Sequence, residues 1–226
     1  MHKFELFCLL FLACILTIAL QPSAADDRLF YLNYEGYHVP NPPKHLVLYD
    51  VYSYQQTTNY TCGPAIVMTL MHRYGKLKDS EMNRATEMRI ANEMGTTMVD
   101  GTSQIKIAEW LKQHGFSVSY GQNVSIDMLI DNINRGVMTI IVWNDINAHA
   151  MMVIGYHAEK AFPSGDDDVI FTADPASSGY IVENGHTLYG IDTLTANQLE
   201  LNQFNTRYFF NPSHSASGLY ITAVPN

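Results

Sequence analysis

The spacing of apolar positions changes once along this chain, from a helical to a strand-like period. From Pro64 to Tyr74, the residues Ile66, Val67, Leu70, Met71 and Tyr74 fall on one helical face, and Gly75 follows as a stop. The same spacing predicts a second helix from Ser80 to Met94, ending at Gly95. A third is predicted from Ser103 to His114, with Ile105, Ala108, Trp110 and Leu111 on or near its buried side and Gly115 after it. In a fourth, Ile126, Leu129, Ile130 and Ile133 share a face, with Ser125 as its cap and Gly136 behind it.

Beyond Gly136 the apolar runs become short and β-branched. Val137–Trp143, His149–His157, Asp168–Asp174, Gly179–Val182 and Gly218–Val224 each predict a strand, and "TANQLELNQF" predicts one short helix among them. Residues 26–50 also look extended, with "RLFYLNY" and "HLVLYDV" separated by the turn "PNPP". No repeat, low-complexity tract or linker divides residues 26–226, so a single domain is expected. The predicted fold class is α+β, an N-terminal helical part packed on a C-terminal antiparallel β-sheet.

Composition adds three constraints. The 226 residues are 47% hydrophobic and 15% charged, enough for one sizeable core. A net charge of −9 argues against nucleic acid or an anionic membrane surface as the main partner. The start of the chain carries Lys3, an apolar run from Leu6 to Leu20, then Pro22 and the small residues Ser23-Ala24-Ala25. That is the layout of a signal peptide over residues 1–25, removed near Ala25. The run is about 15 residues, short of the roughly 20 needed to span a bilayer, although a retained anchor is the alternative. An exported chain, periplasmic or secreted, without stable membrane insertion is therefore expected.

Removal of that segment takes Cys8 and Cys14 with it and leaves Cys62 as the one cysteine. Such a thiol is an inert buried side chain, an intermolecular crosslink or a reactive group. Its neighbours favour the last. Cys62 stands before Gly63-Pro64 at the mouth of the first helix, and a helix N-terminus stabilises a thiolate. Proline suits a first helical turn because its missing N–H has no partner there. Gly63 is expected to allow a tight turn and close approach of a substrate.

A nucleophilic thiol needs a base and a group to orient that base. His149 opens the apolar strand "HAMMVIGY", so its side chain can project over a site from a rigid backbone. His157, at the far end of that strand, is the weaker candidate. His72 lies about ten residues along the helix from Cys62, roughly 15 Å away, and is excluded. His38, His186 and His214 sit in turn-like contexts. The orienting acid is expected at Asp174, fixed at a strand end before Pro175. The alternatives Asp166, Asp167 and Asp168 read as a solvated turn. Asn144 and Asn147 lie near His149 without an assignable role.

The order Gln56, Cys62-Gly63-Pro64-Ala65, His149-Ala150-Met151-Met152-Val153-Ile154-Gly155-Tyr156, Asp174-Pro175 resembles the bacteriocin-processing (double-glycine) peptidases, family 39 of the cysteine peptidases, within the papain-like fold. The similarity runs from about Tyr54 to Val182. It implies thiol attack on a peptide carbonyl with Cys62 as nucleophile, His149 as base and then acid, and Asp174 orienting it. It also implies that Gln56, six residues before Cys62, supplies an amide to the oxyanion hole. Gln55 is the adjacent competitor, and the offset favours Gln56.

Members that mature bacteriocins are fused to a transporter with an ATPase and cut after a double glycine. This chain shows neither a P-loop nor a second apolar span, so a stand-alone exported peptidase or amidase is expected. No cofactor or metal is implied, and the partner is a peptide or protein substrate. Two other functions share these residues: a catalytically silent peptide-binding domain, and γ-glutamyl transfer as in the exported phytochelatin-synthase-like enzymes.

Overall fold

The computed structural model describes residues 28–29, 45–143, 148–158, 169–177, 180–183, 186–189, 191–195 and 218–226. Among the described residues the α-helices are α1 (Cys62–Arg73), α2 (Arg84–Glu93), α3 (Gln104–Gln113) and α4 (Ile126–Asn134). Ala65, Ile66, Val67, Met68 and Leu70 of α1 have no exposed surface, so this helix runs through the core. It packs against α2, α3 and the sheet. Burial of each large side chain stabilises by about 1.5–3 kcal/mol, which outweighs any single cap. The Ser103 and Ser125 hydroxyls accept from the backbone N–H groups of Lys106 and Met128, capping α3 and α4 as their sequences predict. The stop residues Gly75 and Gly136 have φ of 67° and 72°, where a Cβ would be strained.

The strands are β1 (Arg28–Leu29), β2 (His45–Tyr49), β3 (Phe116–Gly121), β4 (Thr139–Trp143), β5 (His149–Ala158), β6 (Val169–Ala173), β7 (Tyr180–Glu183), β8 (His186–Tyr189), β9 (Ile191–Thr195) and β10 (Tyr220–Pro225). All described pairings are antiparallel. The main sheet runs β1-β2-β5-β4-β10-β3, with β6 also on β5 and β9 on β6, while β7 and β8 form a separate ribbon. The long β5 is its organiser. Its first half pairs with β4 and its second half with β2 along one edge, and β6 takes the other edge. Gly155 makes this possible: a Cβ there would lie 2.4 Å from the carbonyl oxygen of Val47 and 2.8 Å from Leu48 Cα.

The fold is α+β, as the sequence predicts, with three differences in layout. The sheet is not confined to the C-terminal part, because β1 and β2 precede the helices and β3 lies between α3 and α4. The predicted helix over Ser80–Met94 is divided: Asp79–Glu81 forms a 3-10 turn, and Asn83 then caps α2 by accepting from Thr86 N–H at 3.1 Å. Asparagine competes for backbone donors, which ends one element and starts the next. His186 is a strand residue of β8 rather than a turn residue. Residues 1–27, the helix predicted from "TANQLELNQF", His38, His214, Asn144, Asn147 and Asp166–168 lie outside the described residues.

Candidate active site

Cys62 is the first residue of α1, and its N-cap, Thr61, makes no side-chain cap. The Thr61 hydroxyl turns instead to Glu87 Oε1, 2.5 Å away. A missing cap costs about 0.5–2 kcal/mol, which the buried face of α1 readily offsets. The consequence is local. The first N–H groups of a helix lack intrahelical partners, and here the N-cap side chain takes none of them. Gly63 N–H is directed at the Cys62 sulfur. Gly63 itself has no positive φ, and a Cβ on it would lie 2.9 Å from Thr102 Cβ and 3.2 Å from Ile107 Cδ1. The glycine is thus required by packing against Thr102, which replaces the tight-turn explanation expected from sequence.

His149 begins β5 and Asp174 directly follows β6. Because Ala173 pairs with Met152, continuing the register sets position 174 opposite Met151, on the face that residue 149 shares. His149 Nε2 and Asp174 Oδ1 are 2.5 Å apart, and both side chains are largely buried. The same Oδ1 accepts from Ala176 N–H at 2.7 Å, which locks the carboxylate. With Nε2 engaged, Nδ1 is the ring nitrogen left for the Cys62 thiol, to which His149 is hydrogen-bonded. Ala148, immediately before His149, has φ 52°, a left-handed conformation unusual for alanine.

The electrostatics follow from this line of three groups. Burial pushes the Cys62 thiol up, but hydrogen bonds from His149, Ala150 N–H and Gly63 N–H, with the imidazolium charge, outweigh it and leave the thiol below its ordinary value. Burial likewise pulls His149 down, but its hydrogen bonds to Asp174 and Cys62 and their charges raise it to about 10. These shifts favour a thiolate–imidazolium pair near neutral pH.

Gln56 lies in the segment leading into α1. Its backbone N–H donates to Pro175 O at 2.8 Å, tying it to the turn beside Asp174. Its side-chain Nε2 donates to Thr58 O at 2.6 Å, and its Oε1 is buried with no partner among the described residues. A carbonyl can only accept, so this contact fixes the amide with nitrogen toward Thr58. The competitor Gln55 is exposed and donates from Nε2 to Asp174 O at 3.0 Å.

Three other described histidines stand apart. His72 meets exposed Asp79 at 2.7 Å, His114 stacks on Trp110, and His157 is buried toward the far end of β5. Among the described residues no group of three or more His, Cys, Asp or Glu side chains could hold a metal ion. Sequence reasoning passed over Glu87, which is fully buried on α2. A signal was available, since Glu87 shares the i, i+3, i+4, i+7 stripe of Ile90, Ala91 and Met94.

The site therefore sets a thiol at a helix mouth against a histidine at a strand start within an α+β core. Residues 51–161 match the model of the Peptidase C39-like family. Similar solved structures include a double glycine motif protease from an AMS/PCAT transporter in complex with the leader peptide (14% identity, 78% of this chain and 93% of that one covered, TM-score 0.48). Another is the peptidase domain of Streptococcus ComA, a bi-functional ABC transporter involved in a quorum sensing pathway (18% identity, 76% and 96% covered, TM-score 0.48). No curated protein matches the chain.

Proposed function

We propose that this chain is an exported cysteine peptidase or amidase that cleaves a peptide bond through a thioester acyl-enzyme. The observation that carries this reading is the hydrogen-bonded line Cys62–His149–Asp174, with the thiol lowered and the imidazole raised. Export rests on the signal-like residues 1–25, and the mature chain would be one domain over residues 26–226.

In this mechanism the Cys62 thiolate attacks the substrate carbonyl carbon, and negative charge moves onto the carbonyl oxygen. Cys62 N–H, at the uncapped start of α1, and the second N–H of Gln56 Nε2 donate to that oxyanion. The His149 imidazolium gives its proton to the leaving amine as the tetrahedral intermediate collapses to the thioester. Neutral His149 then removes a proton from water, which attacks the thioester. The intermediate collapses, releasing the acid and returning the charge to sulfur, while His149 keeps the proton it took from water and the ion pair is restored. Asp174 holds the ring with Nε2 facing it throughout, so that Nδ1 serves the thiol.

The test is a covalent adduct. Incubation with an activated ester or peptide aldehyde should add one acyl or hemithioacetal mass at Cys62, and Cys62→Ala should show none while remaining folded. A wild-type protein that forms no adduct and whose thiol titrates like free cysteine would sink the reading. Product analysis with an added amine acceptor separates hydrolysis from acyl transfer.

A further inference from the structure

We propose that Glu87 is a positioning residue that sets the two oxyanion donors of this site relative to each other; the proposal rests on the peptidase reading above. Glu87 has no exposed surface, yet its carboxylate accepts four hydrogen bonds. Oε1 accepts from Thr57 N–H at 2.9 Å and from the Thr61 hydroxyl at 2.5 Å. Oε2 accepts from the Thr57 hydroxyl at 2.6 Å and the Tyr54 hydroxyl at 3.2 Å. Four donors suit an ionised carboxylate, which has about four lone-pair sites and no proton to give.

All four donors belong to one short segment, Tyr54 to Thr61, which leads directly into Cys62. Tyr54 and Thr57 flank Gln56, and Thr61 immediately precedes Cys62. One side chain on α2 therefore fixes the backbone on both sides of one oxyanion donor and immediately before the other. Glu87 also controls the helix end. By accepting the Thr61 hydroxyl, it keeps the N-cap side chain off the first N–H groups of α1, where it would otherwise compete with a substrate oxyanion. Thr58 joins the arrangement: its hydroxyl is 2.8 Å from that of Thr61, and its carbonyl holds Gln56 Nε2. Burial first, and then the Glu87 carboxylate, raise the Tyr54 hydroxyl above its ordinary value.

This arrangement separates two reactivities that share Cys62. The lowered thiol depends on His149 and on Ala150 and Gly63 N–H, none of which Glu87 touches. Acylation by a carbonyl compound depends on the oxyanion donors as well. Alkylation by iodoacetamide forms no oxyanion.

The experiment compares Glu87→Gln with the wild type in full-length protein. Removing one oxyanion donor costs about 10²–10³ in kcat, so partial misplacement of two should lower kcat for an activated-ester or peptide-amide substrate by about tenfold or more. KM and the iodoacetamide rate should stay within about twofold. Thr61→Val should reproduce the split and Thr61→Ser should not, and this pair stands in if Glu87→Gln fails to fold. Unchanged kcat in folded Glu87→Gln, or in Thr61→Val when that pair is used, overturns the proposal. So does an alkylation rate that falls in step with kcat. A wild-type protein that forms no acyl adduct instead removes the peptidase reading and this proposal together. An active wild type with an indifferent Glu87→Gln removes the proposal alone.

Discussion

Gln55 donates its side-chain amide to the main-chain carbonyl of Asp174, 3.0 Å away. Its neighbour Gln56 is held to the following residue, through N–H to Pro175 O. The segment entering the helix of Cys62 is thereby fastened to the turn that carries Asp174. The two adjacent glutamines differ in their contacts: Gln55 braces that turn, while Gln56 gives its amide to Thr58 O.

The first prediction separates them. Gln56→Ala should lower kcat by about 10²-fold or more, the usual loss for one oxyanion donor. Gln55→Ala removes one neutral hydrogen bond at a partly exposed position, worth about 0.5–1.5 kcal/mol, and leaves the Gln56–Pro175 bond in place. It should cost less than tenfold. Steady-state kinetics on both variants would expose the assignment as inverted if Gln55→Ala proved the more damaging.

The second concerns pH. The thiol lies below its ordinary 9.0 and the imidazole near 10 rather than 6.5, so the ion pair persists between the two folded values. The rate of alkylation by iodoacetamide should show its acid inflection below 9, and kcat/KM should fall again as pH rises through about 10. His149 holds its proton more tightly folded than unfolded. Its contribution to stability is therefore complete below pH 6.5 and lost as pH rises through about 10. An alkylation inflection at or above 9 would contradict the geometry.

Asp174 and Cys62 contribute unequally to that shift. The Asp174 hydrogen bond acts on His149 more strongly than that of Cys62. NMR titration should find the His149 value lowered in both Asp174→Asn and Cys62→Ala, and further in the former. Asp174→Asn should also lower kcat on the order of 10²-fold or more by releasing the ring. A larger fall in Cys62→Ala would reverse the ranking.

Two glycines supply the fourth prediction. Gly63→Ala drives a Cβ into half-buried Thr102 and buried Ile107, an overpacking cost of typically about 1–3 kcal/mol. The melting temperature should drop. A raised KM with unchanged stability would instead restore the substrate-approach explanation. Gly155→Ala should be worse, since its obstacle is the backbone of Val47 and Leu48, which cannot rotate aside.

Much of the fold was legible because α1 is apolar along most of its length, α3 and α4 bury one stripe each, and all three end on residues suited to a stop, although Ile105, expected toward the buried side of α3, is exposed. The divided second helix was not, because Asn83 reads as an ordinary helix-surface residue until its side chain is seen capping Thr86. Strand β3 hid behind serines at its exposed positions, although Phe116, Val118 and Tyr120 do alternate. Cys62, His149 and Asp174, which the structure brings together, stood out from local context, each at the end of an element. Glu87 could not be given a role that way. A carboxylate on a helical stripe gains meaning only from the hydroxyls brought to it by another segment.

Strand β10 lies between β3 and β4, pairing with Phe116–Gly121 on one side and Thr139–Ile141 on the other. Hydrogen bonds beside this pairing join positions 109 apart in sequence, as from Ser117 to Asn226. Closing so long a loop carries an entropic cost before any contact repays it, and pairings of this kind slow folding. Until β10 arrives, β3 and β4 present bare edges to any other extended chain. The order of assembly therefore has a vulnerable interval, in which a peptide of suitable sequence could occupy the central slot of the sheet.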